Sequence, residues 1–191
     1  MASSNHVKVL GLDGSLANFG MVVATVDWNE KTVVSVDELI LSKTEKDKAK
    51  TTKRSDDDFK RFGQHWFTIN SLINSHQVSY VIGEIPSGAQ DARASFAFGG
   101  VTAILAGIDQ GLDVPVITVT PREAKEATGN KHADKEDVIK WAYELFPDTN
   151  WIVSPRVNAL NLQTKSGKYL TLANEHLADG VAIIYAGLKK K

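Results

Sequence analysis

Two apolar segments of this chain each stop on an acid. The first, "VKVLGLDGS", runs through Val9, Leu10 and Leu12 to Asp13 and then turns at Gly14 and Ser15. The second, "VSYVIGEIP", runs through Val81 and Ile82 to Glu84, with Pro86 just beyond. Asp-Gly alone is an ordinary turn dipeptide, and on its own Asp13 could simply cap a hairpin. Glu84 has no such reading. A carboxylate at the end of a strand buried on both faces is unfavourable unless it is paired, hydrogen-bonded or coordinated. A fold that sets the two strands side by side gives both acids one common purpose.

The pattern around these segments supplies such a fold. Residues 7–13, 18–28 and 31–42 alternate as strands, with Asn29 and Glu30 between the second and third, which predicts a three-stranded antiparallel start. "SDDDFKRFGQHWFTINSLINSH" then predicts an amphipathic helix, with Ser55 as N-cap and Phe59, Phe62, Trp66, Ile69 and Ile73 on its apolar face. Residues 78–86 form the next strand, 91–110 a helix rich in small residues, and 114–120 a fifth strand. A short helix starts at Pro121, another covers 134–146, and a last one runs from Leu172 to Leu188. Three antiparallel strands followed by β-α-β-α units predict an α/β fold, a five-stranded mixed sheet flanked by helices. Within 148–172, "LNLQTKSGKYLTL" alternates about a Lys-Ser-Gly-Lys turn and predicts a hairpin. The expectation is one domain over residues 1–191.

Composition removes several classes of function. There is no cysteine, so a disulfide framework, a thiolate metal site and a cysteine nucleophile are excluded, and a metal here needs oxygen or imidazole ligands. The start "MASSNHVKVLG" lacks a basic, then apolar, leader pattern, and no apolar run reaches the roughly 20 residues of a membrane span. A cytoplasmic protein without membrane contact is the expectation. Net charge is −1, but segment 43–54, "KTEKDKAKTTKR", holds six basic and two acidic residues, and the chain ends in three lysines. The rest of the chain is therefore acidic. A basic loop on an acidic body suits a protein that grips phosphates in one place and gathers carboxylates in another.

The last predicted helix adds to the acids. In "ANEHLADGVAII", His176 and Asp179 stand three apart and Glu175 and Asp179 four apart, so they share a helical face. Gly180 and the apolar run after it imply that this helix packs on the sheet with the polar cluster at its N-terminal end. Two strand-end carboxylates with a helix-borne histidine and aspartate suit Mg²⁺ or Mn²⁺. Two such ions about 3.5–4 Å apart are a known arrangement for phosphodiester hydrolysis.

These residues carry a resemblance. Asp13 in "GLDGSLANFG", Glu84 in "VIGEIP", and His176 and Asp179 in "EHLADGVAI" resemble the RuvC family of Holliday-junction resolvases, within the RNase H-like superfamily. "VTPREAKEATGNKHADKEDVIKWA" is similar to that family's arginine-x-x-lysine helix, glycine turn and second lysine, and "RASFAFGGVTAILAGIDQGLDVPV" to its long helix. The match runs in order from about residue 7 to 187. It implies an RNase H-like fold and an endodeoxyribonuclease that resolves four-way DNA junctions by paired nicks, leaving 5'-phosphate and 3'-hydroxyl ends. It implies Asp13, Glu84, His176 and Asp179 as ligands of two Mg²⁺ or Mn²⁺ ions, with Lys125 and Lys135 as catalytic-centre lysines and Arg122 as a structural or phosphate-positioning group. The family often carries an aromatic shortly after the second strand acid, where this chain reads Ile85-Pro86-Ser87; Phe96 and Phe98 are candidates for that role. The spacing from Lys125 to Lys135 is slightly short and 148–172 reads as an insertion, which points to a divergent, virus-encoded relative.

Cutting two opposed strands of a two-fold symmetric junction calls for a homodimer. The small residues Ala94, Ala97, Gly100, Ala103 and Gly107 mark helix 91–110 as its candidate contact, or else let that helix sit close on its own sheet. Basic segments 43–54, with Lys50, Lys53 and Arg54, 131–135, with Lys131, and 156–168 are candidates for holding duplex arms. Two alternatives remain open at this point, a ribonuclease H acting on RNA/DNA hybrids and a non-catalytic junction-binding protein. An actin-like phosphotransferase also begins with an Asp-Gly turn, but this chain lacks the second lobe such enzymes need for ATP, so no nucleotide cofactor is expected.

Overall fold

The computed structural model describes residues 6–86, 88, 91–157 and 160–190. Its main sheet has five strands in the order β3-β2-β1-β4-β5. These are β1 (His6–Gly14), β2 (Asn18–Asp27), β3 (Thr32–Lys43), β4 (Tyr80–Glu84) and β5 (Val116–Val119). β1, β2 and β3 are antiparallel neighbours, whereas β4 runs parallel to both β1 and β5. The mixed five-stranded sheet flanked by helices is the fold class expected from the sequence.

Period-two alternation divides the side chains between two cores. Leu10, Leu12, Phe19, Met21, Val23 and Val81 face α1 (Arg54–His76) and α2 (Ala92–Gly111), where they meet Ile69, Leu72, Ile73, Val101, Leu105 and Ile108. Val9, Val22, Ala24 and Ile82 face the other way, onto α5 (Glu175–Lys190) and its neighbours α3 (Pro121–Ala127) and α4 (Lys135–Leu145). Burial of each leucine or isoleucine contributes roughly 1.5–3 kcal/mol, so both faces hold the sheet in place.

α5 lies unusually close to the strands. A Cβ on Gly11 of β1 would come within 2.5 Å of the Gly180 carbonyl oxygen, and one on Gly180 within 2.6 Å of Val22. A Cβ on Gly20 of β2 would overlap the carbonyl group of His176. Glycine at Gly11 and Gly20 lets the strands meet the α5 backbone, and at Gly180 it leaves room for the Val22 side chain.

Helix boundaries follow their chemistry. α3 and α4 begin with capping boxes, Thr120 with Glu123 and Asp134 with Asp137, and Pro121 opens α3 as expected. Asp91 caps α2 by accepting from the amides of Arg93 and Ala94. α1 corrects the reading of its start. Its N-cap is Lys53, without a side-chain cap bond, and the Ser55 hydroxyl turns to Asp56 instead. Phe59, assigned to the apolar face, is 80% exposed, because the buried stripe of α1 runs through Asp58, Arg61, His65 and Ile69 and leaves Phe59 on its flank.

The segment from 148 to 172 contains the expected hairpin in shortened form. Gly167, at φ 79°, turns the chain, Thr164 donates its amide to the Lys168 carbonyl, and Gln163 bridges Tyr169. β7 (Tyr169–Leu170) also pairs antiparallel with β6 (Val153–Ser154), a pairing the sequence pattern did not suggest. Asn150 ties this segment to β3. Its Oδ1 accepts from the Leu39 amide at 3.1 Å and its Nδ2 donates to the Leu39 carbonyl at 3.0 Å. At the opposite edge, Lys190 Nζ donates to the Thr118 carbonyl of β5 at 2.8 Å. No described helix is long and apolar enough to cross a membrane.

Candidate active site

Strand parity decides where the two acids point. Asp13 follows Val9 and Gly11 on the α5 face of β1, and Glu84 follows Ile82 on the same face of β4. The parallel register sets Leu12 opposite Gly83, so the next residue on each strand is one of the acids. Both therefore leave the sheet at one end, beneath the first turn of α5. A short 3-10 turn, Leu172–Asn174, leads into that helix. Its fully buried Asn174 accepts from the Ile152 amide and donates to the carbonyls of Ile152 and Thr171, which fixes the entry of the helix.

His176 and Asp179 lie on this first stretch of α5. His176 Nδ1 donates to Asp13 Oδ2 at 2.5 Å. That bond holds the imidazole above its ordinary pKa, against the opposing effect of burial. Glu84 is pushed up to about 8, first by burial and then by the charges of Asp13 and Asp179. Asp179 is pushed up to about 7 by burial, then by Asp13 and Glu175. Lys125 of α3 works against both shifts, as does His176, so this lysine is within electrostatic reach of both carboxyls. The sequence-derived set Asp13, Glu84, His176, Asp179 and Lys125 thus converges at one place. Perturbed carboxyl pairs of this kind are characteristic of functional sites.

Lys135 stands at the rim. Its Nζ meets Glu175 Oε1 at 2.7 Å, which raises the lysine pKa, and Asp179 adds a smaller effect. Glu175 is the partner that the sequence did not assign to Lys135. Since the lysine side chain is 67% exposed, this pair adds little to stability. Lys135→Met is expected to leave Tm within about 2 °C of the parent in a thermal melt.

Other candidates lie apart. Arg122 is 81% exposed and pairs with Glu126 one turn on, a local helix contact. Lys50, Lys53, Arg54 and Lys131 are exposed, as a phosphate-binding surface requires. Phe96 is 49% exposed and Phe98 half-buried. Ser87, of the Ile85-Pro86-Ser87 stretch, lies outside the described residues, as do residues 158–159 of the basic segment 156–168 and Lys191 of the lysine tail. The small-residue stripe of α2 is partly spoken for: a Cβ on Gly100 would overlap the Phe62 ring of α1, so Gly100 serves the contact between helices of one chain.

Among the described residues, no three His, Asp or Glu side chains stand close enough to enclose a cation as they are placed. The donor chemistry nonetheless fits one. Three carboxyls and one imidazole gather on a partly desolvated surface, and two of the carboxyls are held far above their ordinary pKa by burial, with the neighbouring acids adding to it. Hard divalent cations such as Mg²⁺ and Mn²⁺ take oxygen ligands of this kind.

No protein-family profile and no curated protein matches the sequence. Solved structures do match the fold. RuvC of Thermus thermophilus in complex with a Holliday junction substrate superimposes with a TM-score of 0.65 at 18% identity, over 95% of this chain and 92% of that one. A second Thermus thermophilus RuvC structure gives 0.62 at 18% identity, over 94% and 92%. This chain has the RuvC-type, RNase H-like fold. The yeast mitochondrial Holliday junction resolvase Ydc2 gives 0.56 at 15% identity, over 95% of this chain and 80% of its own. At these identities the likeness concerns the fold alone.

Proposed function

We propose that this protein is a divalent-metal-dependent endonuclease that resolves four-way DNA junctions. The observation that carries this reading is the convergence of Asp13, Glu84, His176 and Asp179, with Lys125, at the sheet end beneath α5. Asp13, Glu84 and Asp179 would hold two Mg²⁺ or Mn²⁺ ions through carboxylate oxygens, and His176 through a ring nitrogen. When bound, such an ion pair supplies an activated water and a counter-charge for the leaving 3'-oxygen. Glu84 and Asp179 would give up their protons to act as such ligands, while the His176 Nδ1 bond to Asp13 Oδ2 would orient that carboxylate. Lys125 offers an ammonium to the charge that develops on the scissile phosphate. Lys135, paired with Glu175 at the rim, would add a second positive charge near the same phosphate.

Paired nicks on opposed strands require a two-fold dimer. The α1–α2 groove supplies an apolar surface for it. Phe59, Phe62, Trp66 and Phe96 line a groove of about 570 Å³ along with Ala103 and Gly107, and an exposed patch of this kind favours a partner. The second copy sits here in our reading, with the basic loop of each protomer directed to a duplex arm.

The test uses purified protein with Mg²⁺ or Mn²⁺ and three labelled substrates: a four-way DNA junction, linear duplex DNA and an RNA/DNA hybrid. Symmetric nicks confined to the junction support the proposal. Cleavage of the hybrid alone moves the assignment to a ribonuclease H, and junction binding without cutting leaves a non-catalytic binder. Junction affinity is also expected to fall with salt. Replacing both Lys50 and Lys53 by alanine should flatten the slope of log K against log salt by about 1–2, from roughly 0.9 per lost phosphate contact. An unchanged slope would remove the 43–54 loop from the interface.

A further inference from the structure

A second charged cluster lies on the opposite face of the sheet, and it converges on one backbone oxygen. The turn after Asp13 already satisfies itself locally, because the Ser15 hydroxyl donates to the Asn18 carbonyl and accepts from the Asn18 amide. Three further donors nevertheless reach the Leu16 carbonyl: the Thr44 hydroxyl at 2.6 Å, His65 Nε2 at 3.1 Å and Arg61 Nη2 at 3.3 Å. A carbonyl oxygen can only accept, so His65 carries its proton on Nε2, and its Nδ1 accepts from the Ser42 hydroxyl at 2.8 Å. Burial holds His65 below its ordinary pKa, so it serves as a neutral donor.

Arg61 is the centre of this cluster. Its side chain is 9% exposed, its Nε donates to Thr44 Oγ1 at 3.0 Å, and its Nη1 stands 3.9 Å from Asp57 and 4.0 Å from Asp58. Asp58, 3% exposed, is gripped in turn by both Nη atoms of Arg93, near the start of α2. Buried charges at such a place are weak contributors to stability, since apolar side chains of similar volume often do as well. What the cluster does provide is geometry. It links the turn just after Asp13, the base of the basic loop at Thr44, and the start of the helix that follows the Glu84 strand.

We propose that Arg61, with Asp58 and Arg93, is a positioning cluster that holds the turn after β1 against α1 and α2, and so sets Asp13 for divalent cations. The inference rests on the metal-dependent reading above. Gly14 makes the coupling stiff: a Cβ there would come within 2.6 Å of the Phe19 ring and 2.9 Å of Val101, so the turn has little room to shift without moving Asp13.

The experiment measures Mn²⁺ affinity by titration calorimetry on the full chain, with cleavage followed in parallel. Arg61→Met and Arg93→Gln are compared with Arg61→Lys and with Ile139→Val, a core change on the α5 side remote from the cluster. Arg93→Gln keeps the test open where Arg61→Met fails to fold, because Arg93 is partly exposed. Mn²⁺ affinity is expected to fall roughly 10-fold in Arg61→Met and Arg93→Gln, the scale of losing an outer support of metal ligands, and to recover in part in Arg61→Lys. Ile139→Val should lose stability and keep its affinity. Parental Mn²⁺ affinity in folded Arg93→Gln would overturn the positioning role while leaving the nuclease reading intact. A parent protein that neither binds Mn²⁺ nor cuts DNA would overturn both.

Discussion

Glu84→Gln is expected to cripple cleavage and, in metal-free buffer at high pH, to make the protein more stable. The two effects share one cause. In the fold Glu84 titrates at about 8, well above the 4.5 of an ordinary glutamate, because it is buried beside Asp13 and Asp179. The folded state therefore holds a proton that the unfolded chain has released between those two values. Stability of the parent falls as pH rises through this window and levels off above about 8. Glutamine is neutral throughout and escapes the loss. After allowance for partial exposure, the difference is on the order of 2 kcal/mol. For a chain of this length that means a Tm about 4–8 °C higher for the variant at pH 9, with the curves meeting near pH 4.5. Cleavage by the same variant should drop on the order of 10³-fold, as a metal-held carboxylate is lost. Parent and variant melts compared at pH 4.5 and 9, with and without Mn²⁺, read both quantities. Mn²⁺ should raise the parent Tm most at the high pH. Equal parent and variant Tm at pH 9 without metal would show that Glu84 is not held in a desolvated acidic cluster.

Gly20→Ala is expected to damage fold and site together. A methyl group on β2 at this position would overlap the His176 carbonyl, backbone against backbone, so no rotamer change can relieve it. α5 must move off the sheet. Overpacking of this kind costs roughly 2–3 kcal/mol, or about 4–12 °C in Tm. The displaced residue is the one whose imidazole bonds Asp13, so the hydrogen bond at 2.5 Å is broken as well. Gly63→Ala is the matched control, because nothing lies within 4 Å of its added methyl group and it sits in the middle of a helix. Its Tm should stay level or rise. A Gly20→Ala protein that melts like the parent and keeps its affinity for Mn²⁺ would show that α5 does not depend on this close approach.

How much of this was legible in the sequence depends on the range of the interaction. Asp13 and Glu84 could be placed because strand parity is local: each acid stands an even number of residues from an apolar neighbour that faces α5. His176 and Asp179 could be placed because helical spacing is local too. The partner of Lys135 could not, since Glu175 is forty residues away along the chain and only the packing of α4 on α5 joins them. The Asp58–Arg93 and Arg61–Leu16 contacts span 35 and 45 residues and left no periodic trace. The start of α1 was misread for a different reason. Ser55 has the chemistry of a cap, but the Lys53 carbonyl already accepts the amides of Asp56 and Asp57, which starts the helix two residues earlier, and Asp57 accepts the Asp47 amide from the loop. Spacing alone puts Phe59 inward, whereas the buried stripe of α1 runs through Asp58, Arg61, His65, Ile69 and Leu72 and leaves Phe59 on its flank.

The side chains that meet the two outer strands have a further consequence for assembly. Asn150 occupies both the amide and the carbonyl of Leu39 on β3, and Lys190 occupies the Thr118 carbonyl on β5. At those points the rims of the sheet offer a second chain no free main-chain partner, which is how natural sheets avoid extending themselves from molecule to molecule. Strand-to-strand growth between molecules is thereby opposed at both rims of the sheet.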